Sequence, residues 1–153
     1  MLTVSDRASA GRRVDESGPA VAALLAAGGF QVAPVEIVPD ERERISGALT
    51  RAAEGGYGLV VTTGGTGLGP HDVTPEATAD VIDFEVPGLA EAMRSAGLAK
   101  TPLAALSRAL AGVRGTALIV NLPGSVKGAS ESLEAVLPAL PHAVRLLQGQ
   151  TEH

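Results

Sequence analysis

The sequence predicts an α/β fold of three layers, a mostly parallel sheet with helices on both faces. Two observations predict it. Short apolar runs alternate with longer segments of helical periodicity along the chain, the pattern of strand–helix–strand units. Two of those runs, YGLVVT at residues 57–62 and TALIVNL at residues 116–122, are apolar almost without alternation. Strands covered by helices on both faces have that character.

The elements follow in order. Residues 2–5 read as a clipped first strand. Ser17-Gly18-Pro19 opens a helix, with Pro19 suited to the first turn, and Gly28-Gly29 stops it. Residues 31–38, rich in β-branched side chains, form a second strand. Pro39-Asp40 starts a helix that ends near Gly55-Gly56 and carries Ile45, Leu49, Ala52 and Ala53 on one face. The third strand spans 57–62, and residues 63–71 make a glycine-rich loop. Thr74-Pro75 opens a short helix, and 87–100 is helical. Residues 104–113 and 116–122 pair as strands about Arg114-Gly115, although 105–111 reads equally as helix. From Ser130 the chain is helical, interrupted at Pro138 and Pro141. With no repeat and no linker, residues 1–148 form a single domain and 149–153 a polar tail.

Composition narrows the function. The chain has 153 residues, is 45% hydrophobic and holds three aromatic residues (Phe30, Tyr57, Phe84), so its core is aliphatic. It has no cysteine, which removes disulfides, thiolate metal sites and cysteine nucleophiles. A net charge of −5 and few aromatic platforms argue against nucleic-acid binding. No apolar run is long enough for a membrane span. The first seven residues lack the basic and apolar regions of a secretory signal, so the expected location is the cytoplasm.

In open α/β sheets ligands bind beyond the carboxyl ends of the strands. Ser5-Asp6-Arg7, Asp40, the loop 62–72 and Asn121-Leu122-Pro123-Gly124-Ser125 all leave such ends. Their convergence is the main sign of a site. The glycine-rich loop fits a phosphate cradle or, equally, a tight loop that needs positive φ. It matches neither the P-loop nor the dinucleotide fingerprint, because Pro70 and His71 stand at the deciding positions. Asp72 either joins an extended cap of the helix that Thr74 and Pro75 open, or holds a Mg2+ beside bound phosphate. Asp40 within Asp40-Glu41-Arg42-Glu43 fits a capping box better than a ligand role. Ser125 and Lys127 stand at a capped helix start that could also meet phosphate. His71, His142 and His153 have no metal-ligand spacing, and no serine-hydrolase elbow exists. Arg94 and Arg108 read as surface charges.

Four segments carry a family likeness: TVSDRASAG from Thr3, VPDE from Val38, VVTTGGTGLGPHDVTPEAT from Val60 and ALIVNLPGSVKG from Ala117. In this order and spacing the chain resembles the MogA/MoaB-type molybdopterin-binding domain, which also occurs within the fusion proteins of molybdenum-cofactor synthesis. The resemblance implies molybdopterin adenylyltransferase activity, with ATP and molybdopterin as substrates and Mg2+ as cofactor. It implies that Asp72 and Asp40 are catalytic and hold the Mg2+. It assigns nucleotide and phosphate binding to Thr63, Gly64, Gly65, Thr66 and Gly67, with Thr74 and Glu76 beyond them. Ser5, Asp6, Asn121, Pro123, Gly124 and Ser125 become further substrate contacts.

It also implies a homotrimer, contact with a molybdate-insertion enzyme, and a first strand shorter here than is usual. Some members carry basic residues where this chain has Pro70-His71, which implies weaker phosphate contacts there. The alternative activity is that of a MoaB-type molybdopterin-binding carrier without catalysis.

Overall fold

The computed structural model describes residues 1–150, so the tail expected over 149–153 lies outside the described residues from 151 onward. Six strands form one sheet in the order β2-β1-β3-β6-β5-β4. They are β1 (Leu2–Val4), β2 (Glu36–Val38), β3 (Leu59–Thr63), β4 (Phe84–Glu85), β5 (Ala111–Arg114) and β6 (Ala117–Leu122). The four strands β2, β1, β3 and β6 run parallel; at one edge β5 pairs antiparallel with β6, and β4 pairs antiparallel with β5. The helices are α1 (Asp6–Ser9), α2 (Ser17–Ala27), α3 (Arg42–Glu54), α4 (Thr74–Ala79), α5 (Pro87–Leu98), α6 (Val126–Val136) and α7 (Leu140–Leu147).

Side-chain alternation divides the core between the two faces. Val61, Leu118 and Val120 point to one side, against Val21 and Leu25 of α2, Met93 of α5 and Leu133 of α6. Val60 and Ile119 point to the other, against Ile45 and Leu49 of α3 and Ala77 of α4. All six residues of β6 are buried, as its unbroken apolar run requires. The three-layer α/β architecture is therefore the one the sequence predicts.

Several boundaries differ. Only Glu36–Val38 of the expected second strand pairs, because β1 offers just Leu2–Val4 as partners. The ambiguous stretch before β5 splits into a 3-10 turn at Pro102–Leu106 and then the strand. The last helical region starts at Val126 rather than Ser130. Ser125 caps it by accepting from the Gly128 N–H, which makes Gly128 part of the first turn. Pro138 falls in a short 3-10 turn, and Pro141 opens α7 instead of interrupting it. The one-turn α1 and the two-residue β4 are too short to show any periodicity.

Among the described residues no helix is long and apolar enough to cross a membrane. A cavity of about 300 Å3 lies at the amino-terminal edge of the sheet, between Leu25, Phe30, Leu59 and Val144. It is at the opposite end from the loops that follow β1, β3 and β6.

Candidate active site

The chain leaves β1 and β3, which are neighbours, in opposite directions: β1 connects outward to β2 and β3 inward toward the β6 side. A crevice opens where such connections part. Backbone geometry keeps it narrow. Gly64 has φ 94°, and a Cβ there would stand 2.2 Å from the Val4 carbonyl oxygen. Gly65 has φ 68°, and its Cβ would meet the Thr74 hydroxyl at 2.3 Å. Both positions need glycine for conformation and for close approach, so the tight-loop reading holds here alongside any ligand role.

Two clefts meet at this point. The first, about 400 Å3, is bounded by Ser5, Asp15, Ser17, Asp40 and Ser125, with Arg13 on its rim. The second, about 440 Å3, runs from Thr66 and Gly67 past Met93, Arg94 and Leu106 to Ser132. Gly65, Asp72 and Gly124 line both. The amino-terminal end of α6, the positive end of its dipole, faces the first cleft through Ser125 and Val126.

Neither aspartate caps the helix that follows it. α3 starts after Glu41 with no side-chain cap. The Asp40 carboxylate instead accepts from the Asp6 N–H at 2.8 Å, and the Asp40 N–H donates to the Asp6 carboxylate at 2.8 Å. This reciprocal pair ties the end of β1 to the end of β2, so a long-range partner displaces the local capping box. Asp72 likewise leaves α4 uncapped. Its Oδ2 accepts from the Gly69 N–H at 2.8 Å, closing its own loop. Thr74, expected to cap, donates its hydroxyl to the Gly64 carbonyl at 2.9 Å and its N–H to Gly65.

Burial raises the Asp40 carboxyl above its ordinary range, and the negative charges of Asp6 and Asp72 push the same way against the Asp6 N–H and His71. A cation beside these two acids would relieve that repulsion. Among the described residues no group of three or more His, Cys, Asp or Glu is placed to hold a metal alone. Two carboxylates facing one cleft suit Mg2+, a hard cation that usually takes one or two carboxylates and completes its shell with substrate phosphates and water. The donor set therefore fits.

Of the expected site residues, Ser5, Asp40, Gly64, Gly65, Asp72, Gly124 and Ser125 line the first cleft, while Thr66, Gly67, Asn121 and Pro123 line the second. Four lie behind the clefts. Asp6 holds Asp40, and Thr63 is fully buried against the Ser17 hydroxyl at 3.0 Å. Thr74 ties helix to loop, and Glu76 pairs with Arg108. Asn121 touches the second cleft, but its polar atoms are engaged. Its amide donates to Thr62 and Thr78, and its carbonyl accepts from the Leu110 N–H.

The surface-charge reading of Arg94 and Arg108 is wrong. Arg94 donates to the Ser107 and Ala109 carbonyls on the wall of the second cleft. Arg108 donates to the Gly67 and Asp72 carbonyls and to Glu76. Asp15 is a further residue of the first cleft, one that no sequence motif marks. It accepts from Thr3 and from the Gly18 N–H at the start of α2. The three-residue spacing from Asp15 to Gly18, that of a capping residue, is its one local signal.

A family model described as "Probable molybdopterin binding domain" matches residues 1–142. A molybdopterin adenylyltransferase of Helicobacter pylori is 46% identical over 97% of this chain and 86% of its own length. Gephyrin of Dictyostelium discoideum is 41% identical over 98% of this chain, which spans 22% of that longer protein. The solved structure of a molybdopterin biosynthesis enzyme MoaB from Thermus thermophilus superposes with a TM-score of 0.91 at 58% identity, covering 97% of this chain and 94% of that one. A MogA structure superposes equally well, TM-score 0.91, at 41% identity, covering 95% of this chain and 96% of that one.

Proposed function

This chain belongs to the molybdopterin-binding domain family, and on that premise we propose that it is a molybdopterin adenylyltransferase. The reaction joins an oxygen of the terminal phosphate of molybdopterin to the α-phosphorus of ATP. The bond from that phosphorus to the bridging oxygen breaks, and pyrophosphate leaves with the electron pair. The observation that carries the reading is the placement of Asp72 on both clefts, with Asp40 facing the same junction. Two adjoining clefts give room for two substrates whose phosphates meet between them.

Phosphoryl transfer asks the protein for positioning and charge compensation rather than a covalent nucleophile. That accords with a chain lacking cysteine and paired histidines. Asp72 and Asp40 would hold Mg2+, which when bound neutralises phosphate charge. Backbone amides of the glycine loop and the first turn of α6 orient the phosphate oxygens. The same reading carries a homotrimer in the cytoplasm that hands its product to a molybdate-insertion enzyme by contact.

The test supplies purified protein with molybdopterin and Mg-ATP and follows adenylylated molybdopterin and pyrophosphate. Wild-type protein should turn over. Asp72→Asn keeps an acceptor for the Gly69 N–H but removes the charge, and should lose at least about 100-fold in kcat. Molybdopterin binding without turnover in the wild type would replace the enzyme with the MoaB-type carrier. Full activity in the variant would remove Asp72 from the mechanism.

A further inference from the structure

The segment 67–72 delivers a carboxylate to the junction of the clefts, yet it contains no helix or strand. Its internal bonds run from the Gly69 N–H to the Asp72 carboxylate and from the Asp72 N–H to the Gly69 carbonyl. They give the loop its shape but do not attach it to the rest of the molecule. Arg108 supplies that attachment. Its Nε donates to the Gly67 carbonyl at 2.8 Å and its Nη2 to the Asp72 carbonyl at 2.7 Å, so one guanidinium grips both ends of the loop. The Arg108 N–H donates to the Thr66 carbonyl just ahead of it, at 2.9 Å. The remaining branch, Nη1, pairs with Glu76 on α4, the helix that follows the loop.

We propose that Arg108 is a positioning residue for adenylyl transfer: its planar guanidinium sets where the Asp72 carboxylate stands between the two clefts, and Glu76 fixes the guanidinium. The inference rests on the function proposed above. Three features support it. The flanking residues Ser107 and Ala109 line the second cleft, so the wall of that cleft and the placement of Asp72 belong to one rigid connection. The three-way grip needs a planar fork, which lysine lacks. Glu76 keeps its other oxygen, Oε2, buried without a partner. A buried carboxylate oxygen left unsatisfied costs stability, so the acid at this position serves the arginine rather than the packing of α4.

Arg108→Lys keeps the charge and removes the fork. The expected result is amide exchange at Gly69 and Asp72 faster by about tenfold or more, with the unfolding temperature within a few degrees of wild type. In the same variant kcat falls about 100-fold, as a displacement near 1 Å at the reacting centre allows. The Mg2+ concentration for half-maximal rate rises, while KM for molybdopterin changes less than about threefold. In a folded Arg108→Ala variant, millimolar methylguanidinium restores part of kcat.

Wild-type exchange and kcat in Arg108→Lys would overturn the proposal. So would a loss of rate that only tracks the unfolded fraction, with Mg2+ dependence unchanged and no rescue. Absence of turnover in the wild type would sink the adenylyltransferase reading instead. The exchange rates at Gly69 and Asp72, and calorimetric binding of Mg-ATP to both proteins, would then still decide the role of Arg108.

Discussion

Replacing Asn121 by alanine separates a core role from a ligand role for a residue whose position near the end of β6, beside Thr62 of β3, suggests a substrate contact. The side chain is fully buried and makes three hydrogen bonds. Its amide donates to the Thr62 hydroxyl at 3.1 Å and to the Thr78 hydroxyl at 3.0 Å, and its carbonyl accepts from the Leu110 N–H at 3.2 Å. Three lost bonds at about 1 kcal/mol each, with a backbone N–H left stranded, come to about 3–5 kcal/mol. The threonine hydroxyls can turn to other acceptors, which favours the lower end. For a chain of this size each kcal/mol lowers the midpoint by about 2–4 °C, so at that lower end, about 3 kcal/mol, Asn121→Ala should melt about 6–12 °C below wild type. Calorimetry gives the midpoint, and urea unfolding gives the free energy. At a temperature where the variant is folded, KM for both substrates should stay near wild type. A loss under about 1 kcal/mol together with a large rise in KM would refute this reasoning and return Asn121 to the ligand set.

Two further outcomes follow from the same geometry. Gly64→Ala places a side chain at φ 94° and 2.2 Å from the Val4 carbonyl, so urea unfolding should register a loss of about 3 kcal/mol or more; a neutral result would exclude so close an approach of the glycine loop to β1. Glu76 is held below its ordinary value of 4.5, first by the Arg108 hydrogen bond and less by the charges of Arg108 and Arg42. Its contribution to stability is therefore whole above about pH 4.5 and lost as pH falls through the lower folded value. The stabilities of wild type and Glu76→Gln, measured by urea unfolding, should differ by a constant amount above pH 4.5 and converge as the pH falls below it. A gap that stays constant below pH 4.5 would exclude the ion pair.

Local patterns were legible where one segment decides its own state. β6 shows itself as an apolar run because both its faces are buried, and Pro75 and Pro87 mark helix starts because they lack the N–H a first turn does not use. The glycines at 64 and 65 could be read as a turn or as a cradle, and the fold makes them a turn with a cleft beside it. Local rules failed where a distant group offered a better partner. Asp40 abandons the capping box for Asp6, 34 residues away. Thr74 turns back to Gly64 rather than capping α4.

Arg108 marks the limit most clearly. It follows a 3-10 turn in a stretch with no periodicity, and its side-chain partners lie 41, 36 and 32 residues back along the chain. A lone arginine among small residues looks like a surface charge because nothing nearby in sequence can satisfy it. Composition and periodicity were enough to predict the layered fold, and the strand ends were enough to mark the loops that converge. The order β2-β1-β3-β6-β5-β4 brings those loops together, and so determined which side chains face the clefts and which hold them in place. Propensity and burial pattern are written residue by residue, whereas a hydrogen-bond partner across the sheet exists only once the strands are ordered.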